Sequence, residues 1–337
     1  MMTVLVTGGA GYIGSHACSA LAAAGHVPVT YDNLSTGHKW AVKWGPLVVG
    51  DLSDVASLRK TIRQHDVQAV LHFAAHSLVG ESTQRPRKYY RNNLVNTLNL
   101  LDAMLDTGVR RIVLSSTCAV YGEPQTEILH EMHPTQPVNP YGETKLAMER
   151  ALRWYANAYR FGCVSLRYFN AAGADYENEI GEAHNTETHL IPLVLEAAVS
   201  PEHPVSIFGT DYATPDGTAI RDYIHVMDLA DAHVLALDYL LRGEPSVNFN
   251  LGNGKGHSVR EVITAVERVT GRRVTVIEAP RREGDPPRLV AAAARAHTQL
   301  RWKPRCSELE DIVRSAWLWK ARGMPQSAEL HHQRAAG

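Results

Sequence analysis

Cysteines are few and net charge is almost absent in this sequence of 337 residues. The four cysteines form no C-x-x-C pair, a pattern typical of reduced thiols packed as small apolar side chains and not of a disulfide framework. The 34 Lys and Arg residues nearly balance the 35 Asp and Glu residues. A net charge of -1 gives no electrostatic reason to expect nucleic acid or an anionic membrane as a partner, so any anionic ligand must be held by local groups.

Long apolar runs and metal-binding spacings are also missing. No run approaches the roughly 18 to 20 apolar residues that span a bilayer, and the first residues lack the pattern of a signal peptide. We therefore expect a cytoplasmic protein without a membrane partner. Of the 17 histidines, His72 and His76 are four apart, but they lie where a predicted strand runs into a loop and this spacing does not align two ligands. We expect no metal site.

Apolar runs of strand length alternate with helix-length amphipathic segments through the first half of the chain. This alternation predicts an α/β fold, a Rossmann-type doubly wound parallel sheet with helices on both faces. After about residue 170, Gly, Pro and polar loops become more frequent, which predicts a smaller α/β lobe over 171–337, with some segments returning to the first domain, 1–170. The predicted strands are 4–7, 27–31, 47–49, 69–73, 112–115 and 163–168, and the predicted helices are 13–24, 53–64 and 89–107.

A glycine-rich turn follows the first predicted strand. The segment TGGAGYIGS spaces Gly8, Gly11 and Gly14 so that backbone N–H groups can approach a pyrophosphate at the positive end of the next helix. Asp32 ends the second strand, where its carboxylate can accept hydrogen bonds from ribose hydroxyls and repel a 2′-phosphate, which favours NAD over NADP. Asp51 ends the third strand and allows two interpretations, contact with the adenine or an N-cap for the next helix.

A second pattern joins a tyrosine, a lysine and a strand end. The segment NPYGETK places Tyr141 and Lys145 four apart on one face of a predicted helix, and LSSTCAVYG places Ser115, Ser116 and Thr117 at the end of a strand. Lowering a tyrosine pKa from about 10 by roughly 3 units needs about 4 kcal/mol of phenolate stabilisation. The Lys145 ammonium and a positive nicotinamide ring carry charge of the right sign, so the pattern indicates an activated tyrosine.

Together these motifs resemble the extended short-chain dehydrogenase/reductase family and, within it, the UDP-glucose 4-epimerases. The resemblance runs from residue 4 to about 319 and includes GGAGYIGSH, SSTCAVYG, NPYGETK, LRYFNAAGA and RREGD. It implies an isomerase that keeps NAD bound and interconverts UDP-galactose and UDP-glucose through a 4-keto intermediate. Tyr141 would then remove the proton of the sugar 4-OH, Thr117 would hydrogen-bond the same oxygen, and Lys145 would also hold the nicotinamide ribose.

The resemblance further implies two sets of ligand-binding residues. The cofactor set is Gly8, Gly11, Tyr12, Ile13, Gly14, Asp32, Asn33, Asp51, Leu52, Phe73, Ala74, Ala75, Asn92, Ser115, Tyr141, Lys145 and Tyr168. The substrate set is Thr117, Asn170, His189, Leu190, Phe208, Arg221, Tyr223, Arg282, Asp285 and Leu289. Asn170 would touch the diphosphate, Phe208 would lie by the uracil, and the two arginines and Asp285 would hold the diphosphate and the uridine ribose. A guanidinium suits phosphate oxygens, but Arg221 could instead pair with Asp222, and Arg282 could belong to a surface charge cluster.

Three positions depart from the family pattern. Ser77 stands where certain members have a lysine that reaches the nicotinamide ribose, so that contact is unassigned. His189 occupies a position often filled by asparagine near the uridine diphosphate. Leu289 falls where a bulky residue disfavours N-acetylated sugars, and leucine is smaller than tyrosine, so the sequence does not decide whether such sugars fit.

The sequence leaves other functions open. A UDP-sugar dehydratase of the same frame would need an Asp and a Glu directly after Thr117, where Cys118 and Ala119 stand. A protein that binds NAD without catalysis would have a broken Thr117, Tyr141 and Lys145 set, and all three are present. UDP-xylose and UDP-arabinose are alternatives to the hexoses. The resemblance also implies a homodimer, with 93–107 and the helix after Tyr141 as the candidate interface.

Overall fold

A seven-stranded parallel sheet forms the centre of the molecule. The structure is a computed structural model that describes residues 1–177, 179–282 and 284–323. The strands are β1 (Thr3–Thr7), β2 (Val27–Asp32), β3 (Leu47–Val49), β4 (Ala69–His72), β5 (Arg111–Thr117), β6 (Gly162–Tyr168), β7 (Asn170–Ala172), β8 (Val205–Phe208), β9 (Ile220–His225), β10 (Val247–Leu251), β11 (Gly256–Ser258), β12 (Val276–Ala279) and β13 (Arg288–Leu289). The large sheet has the order β10-β6-β5-β4-β1-β2-β3 with every pair parallel, which confirms the predicted fold class.

Helices cover both faces of this sheet. They are α1 (Tyr12–Ala23), α2 (Val55–Gln64), α3 (Val79–Gln84), α4 (Pro86–Tyr89), α5 (Asn96–Thr107), α6 (Pro140–Tyr159), α7 (Leu190–Val199), α8 (Val226–Leu241), α9 (Val259–Thr270) and α10 (Leu309–Arg322). Successive strand residues point to opposite faces. Val4 and Val6 therefore pack in one core with α1 and α8, whereas Leu5 packs in the other core with α2, α5 and α6. None of the helices in the described part of the chain is long and apolar enough to cross a membrane.

The predicted helix 89–107 is interrupted. Residues Tyr90–Val95 form a π-helical stretch between α4 and α5. Within it the fully buried Asn93 accepts from the His76 backbone N–H at 2.8 Å and donates to the His76 carbonyl at 3.0 Å and to the Thr144 hydroxyl at 3.2 Å. These contacts join segments far apart in sequence, which is why the local pattern did not predict the interruption.

The second lobe packs against the carboxyl ends of the large sheet. Strands β7, β9, β11 and β13 form one small sheet and β8 pairs with β12, while α7, α9 and α10 share a separate apolar core. The segments α8 and β10 follow residue 170 in the chain but pack on the large sheet. The division at residue 170 stays a prediction.

Candidate functional site

A cleft of about 1670 Å³ opens where the carboxyl ends of the large sheet face the second lobe. A site for a single drug-sized ligand holds about 300–1,000 Å³, so this cleft has room for two such ligands side by side. All the residues of the predicted cofactor and substrate sets line it. The cleft thus brings together positions from residue 8 to residue 289, although the contact of each with a ligand stays a prediction.

The glycine turn has the geometry of a pyrophosphate cradle. Gly8 has φ +74°, and a Cβ there would lie 2.6 Å from the Ala74 backbone nitrogen. A Cβ on Gly14 would overlap the carbonyl oxygen of Gly8. The N-cap of α1 is Gly11, and within this fully described helix no side chain caps the amino terminus. Its first N–H groups are therefore available to an anion, so these residues fit the pyrophosphate of NAD.

Two carboxylates stand at the ends of the next two strands. Asp32 accepts from the backbone N–H groups of Ala10 at 3.0 Å and Leu34 at 2.8 Å, which fix it on the cleft wall. Burial raises its pKa. The Asp51 carboxylate accepts from Asn33 Nδ2 at 2.7 Å. The N-cap interpretation of Asp51 was wrong, because α2 begins at Val55.

The residue that caps α2 is Asp54, whose carboxylate accepts from the Ser57 N–H at 2.9 Å. Asp51 instead accepts from the backbone N–H and the hydroxyl of Ser53 at 2.8 and 2.6 Å. The Ser53 hydroxyl is the main cause of the lowered Asp51 pKa. A charged carboxylate therefore lines the cleft at the end of β3.

Helix α6 brings the tyrosine and the lysine to the end of β5. It begins at Pro140 because the Asn139 side chain accepts from the Gly142 N–H at 2.9 Å and proline suits the first helical position. Tyr141 therefore lies in the first turn, and Lys145 lies one turn further, where its ammonium donates to the Ser115 carbonyl at 2.7 Å.

Burial dominates the electrostatics of this pair. It raises the pKa of Tyr141 to about 12, although the side chain of Thr117 acts in the opposite direction. It lowers the pKa of Lys145 to about 7. Among the protein groups, burial thus outweighs the stabilisation of a phenolate, and the predicted activation of Tyr141 by Lys145 together with the nicotinamide ring stays a prediction. A phenolate here needs a further positive charge beside it, of the kind that an oxidised nicotinamide ring carries.

On the opposite wall the predicted arginines have partners that the sequence did not identify. Arg221 pairs with Asp285, whereas Asp222 accepts from the backbone N–H groups of Asn253, Gly254 and Ala291. The Arg221–Asp222 interpretation was wrong, because Asp222 points the other way along β9 and holds two loops. Arg221 thus lines the cleft as an ion pair with the carboxylate of Asp285.

Arg282 is exposed and packs on an aromatic ring of the cleft. Its guanidinium lies 4.0 Å from the centre of the Phe208 ring, and both side chains line the cleft. A planar base approaching Phe208 would therefore meet a guanidinium as well as an aromatic ring.

The segment GEAHNTETH holds a cluster of two histidines and two glutamates that was not predicted from the sequence. His189 Nδ1 bonds Glu182, and His184 Nδ1 lies 3.3 Å from Glu182 and 3.2 Å from Glu187. Burial opposes the charges, but the hydrogen bonds that Glu182 accepts from the two histidines lower its pKa to about 2, and the hydrogen bonds that His184 donates to Glu182 and Glu187 raise its pKa to about 10. One ligand atom from each of the four side chains lies within 4.8 Å of the others. The short distances are those of ion pairs between the histidines and the glutamates. The spacing E-x-H-x-x-E-x-H is the signal that could have revealed them.

Comparison with known proteins gives close similarities over nearly the whole chain. The model of the NAD dependent epimerase/dehydratase family matches residues 4–252. The UDP-glucose 4-epimerase of Rhizobium meliloti (strain 1021) is 51% identical over 319 residues, which cover 95% of this chain and 97% of that protein.

Solved structures show the same similarity. UDP-glucose 4-epimerase from Brucella ovis in complex with NAD is 49% identical with a TM-score of 0.92, covering 94% of this chain and 98% of that one. UDP-glucose-4-epimerase from Stenotrophomonas maltophila, with bound NAD and formylated UDP-arabinopyranose, is 42% identical with a TM-score of 0.92, covering 96% of this chain and 98% of that one.

Proposed function

Because this chain belongs to the NAD dependent epimerase/dehydratase family, we propose that it epimerises a UDP-sugar at C4, between UDP-galactose and UDP-glucose, through a transient 4-keto intermediate. The predicted resemblance to the UDP-glucose 4-epimerases, the prediction of an enzyme and the prediction of NAD as cofactor are confirmed. The direction of the reaction, the sugar and the roles of single residues belong to the proposal.

One observation carries the proposal. Tyr141 and Lys145 lie on one face of α6 against the end of β5, in the same cleft as the glycine turn. When bound, NAD would supply a hydride acceptor, able to take two electrons and one proton from C4 of the sugar and to return them. Tyr141 takes the proton of the 4-OH and returns it, and Thr117 hydrogen-bonds the same oxygen. Lys145 holds the nicotinamide ribose and, as a cation, favours the phenolate.

Groups on the second lobe suit a nucleoside diphosphate. The guanidinium groups of Arg221 and Arg282 can each bind phosphate oxygens with two parallel hydrogen bonds. The ring of Phe208 offers a face to a planar base, and the amino terminus of α7, which begins at Leu190, adds N–H groups next to the imidazole of His189. These groups support a UDP-sugar as substrate.

Dehydration has less support than epimerisation. Elimination of water needs an added acid and base next to the sugar, and the positions after Thr117 hold Cys118 and Ala119. Burial raises the pKa of the Cys118 thiol to about 12, so this side chain is a poor base at neutral pH.

A pentose is the second candidate substrate. The Stenotrophomonas maltophila relative holds formylated UDP-arabinopyranose, and the arginines, Phe208 and Tyr141 of this chain would contact the parts that UDP-hexoses and UDP-pentoses share. We therefore include UDP-xylose among the substrates to be tested.

We also propose a cytoplasmic homodimer. All four cysteines are buried and unpaired, as in proteins of a reducing compartment. Trp154 on α6 is 70% exposed, and Val95, which precedes α5, is 48% exposed. The Tyr155 hydroxyl donates to Asp102 at 2.5 Å and so links the two helices into one surface. Apolar groups exposed on α6 and directly before α5 suit a second copy of the chain.

The test uses the purified protein without added NAD. UDP-galactose and UDP-xylose are supplied separately, and the C4 epimers are separated by chromatography. Conversion of the hexose supports the proposed reaction, and conversion of both sugars supports a dual hexose and pentose epimerase. No epimer from either sugar, even after NAD is supplied, would contradict the proposal.

A further inference from the structure

A buried carboxylate lies one helical turn beyond Lys145. Glu149 follows Lys145 by four residues on α6, so both side chains leave the same face of the helix toward β5. Lys145 donates to the Ser115 carbonyl at 2.7 Å, and the hydroxyl of the next residue, Ser116, donates to Glu149 Oε1 at 2.5 Å. Lys145 and Glu149 are only 2% and 7% exposed. Water therefore screens the interaction between their charges very little.

Glu149 is held in one position by several donors. Arg167 Nε donates to Glu149 Oε1 at 2.9 Å, and Arg167 Nη2 donates to Oε2 at 2.5 Å, a bidentate salt bridge. Asn248 Nδ2 donates to Oε2 at 3.2 Å, and Arg167 Nη1 also donates to the Tyr121 hydroxyl at 3.1 Å. The network fixes an anion and, directly beside it, a compensating cation on β6.

Lys145 needs an anion to stay charged in this position. Burial lowers its pKa to about 7, and the charge of Glu149 acts against this shift. Its hydrogen-bond acceptor on β5 is a neutral carbonyl. On β4, burial lowers the pKa of His72 to about 3, which leaves that imidazole neutral.

The remaining groups around α6 are neutral or already paired. The phenols of Tyr141 and of Tyr168 on β6 have pKa values raised by burial, so both are protonated at neutral pH. On the small helices that pack against α6, Lys88 donates to Glu81 at 2.8 and 3.0 Å. Glu149 is thus the carboxylate placed to support the charge of Lys145.

We propose that Glu149 is a positioning residue that keeps Lys145 cationic beside Tyr141, and that Arg167 limits how strongly it does so. The consequence for turnover rests on the proposed function, but the charge of Lys145 is a property of the protein alone. Glu149→Gln removes the anion, so Lys145 should lose its proton at a lower pH. Arg167→Gln leaves the anion uncompensated, so Lys145 should keep its proton to a higher pH. Ser116→Ala removes a hydrogen bond without changing any charge and serves as the control.

The experiment measures the titration of Lys145 directly. The NAD-containing proteins are prepared with carbon-13 at the ε carbon of lysine, and the NMR signal of Lys145, assigned by its loss in Lys145→Met, is followed over a range of pH. The midpoint should fall by about one pH unit in Glu149→Gln, rise in Arg167→Gln and stay unchanged in Ser116→Ala. The alkaline limb of the kcat profile for UDP-galactose should move in the same directions.

A merely structural role would lower the melting temperature and kcat without moving these midpoints in opposite directions. An unchanged or raised midpoint in Glu149→Gln, or an unchanged or lowered one in Arg167→Gln, would overturn the inference. Melting temperatures establish that each variant is folded. If one of the two variants does not fold, the titration midpoint of the other variant still tests the role of Glu149. A wild-type protein that fails to epimerise UDP-galactose contradicts the proposed function, and the titration midpoints of Lys145 then still decide the role of Glu149.

Discussion

Replacing Gly14 by alanine should release NAD because the added methyl group has no space in the glycine turn. Its Cβ would overlap the Gly8 carbonyl oxygen and lie 2.9 Å from both the Gly8 carbonyl carbon and the Gly9 Cα. All of these are backbone atoms, so the turn itself must move. Overpacking of this kind costs about 1–3 kcal/mol, which corresponds to roughly 5- to 150-fold in affinity if it falls on NAD binding.

The assay measures the NAD extracted per protein molecule after purification and the melting temperature with and without added NAD. Gly80→Ala is the matched control, because Gly80 also lines the cleft, lies within α3, and a Cβ there would meet nothing within 4 Å. Gly14→Ala should lose resident NAD and the stabilisation by added NAD, whereas Gly80→Ala should keep both. Full NAD content and an unchanged melting temperature in Gly14→Ala would refute the claim that the glycine turn holds the pyrophosphate of NAD.

Three further predictions concern the tyrosine, the ion-pair cluster and the helical surface. Tyr141→Phe should lower turnover of UDP-galactose roughly 100- to 10,000-fold while extracted NAD stays at the wild-type level; turnover within a few-fold of wild type would contradict the base role. Although burial opposes it, pairing with Glu182 and Glu187 raises the pKa of His184 from 6.5 to about 10, so the stabilisation is complete below pH 6.5 and is lost as the pH rises through 10. The melting-temperature gap between wild type and His184→Gln should therefore shrink over that range, and a constant gap would argue against the pairing. Trp154→Glu should shift sedimentation equilibrium from dimer to monomer, because the variant would place a charge in the proposed apolar interface; a wild-type protein that is already monomeric would exclude the homodimer.

Local sequence patterns were sufficient for the parallel sheet and for the first half of the cleft. The apolar run 47–49 coincides with β3, and the glycine spacing placed the turn before α1, because both depend on residues close together in the chain. The π-helical stretch at 90–95 and the joining of β10 to β6 were not predicted. Both depend on partners more than about 15 residues away, as the contact between Asn93 and His76 shows.

The electrostatics of the site were harder to predict than its position. The sequence placed Tyr141 beside Lys145, but not the burial that raises one pKa and lowers the other. The partner of Arg221 proved to be Asp285, 64 residues away, and not its neighbour Asp222. Burial and charge pairing depend on which segments meet in the folded chain, and a motif of neighbouring residues does not specify that.

The most direct test of the central claim follows the hydrogen at C4 of the sugar. UDP-galactose carrying deuterium at C4 is incubated with the purified protein in ordinary water without added NAD, and the UDP-glucose formed is analysed by mass spectrometry and NMR. The account predicts that the product keeps its deuterium at C4, because the hydrogen leaves the carbon for the resident NAD and returns from it. Loss of the deuterium to solvent would show that the carbon is deprotonated instead, and would contradict the account.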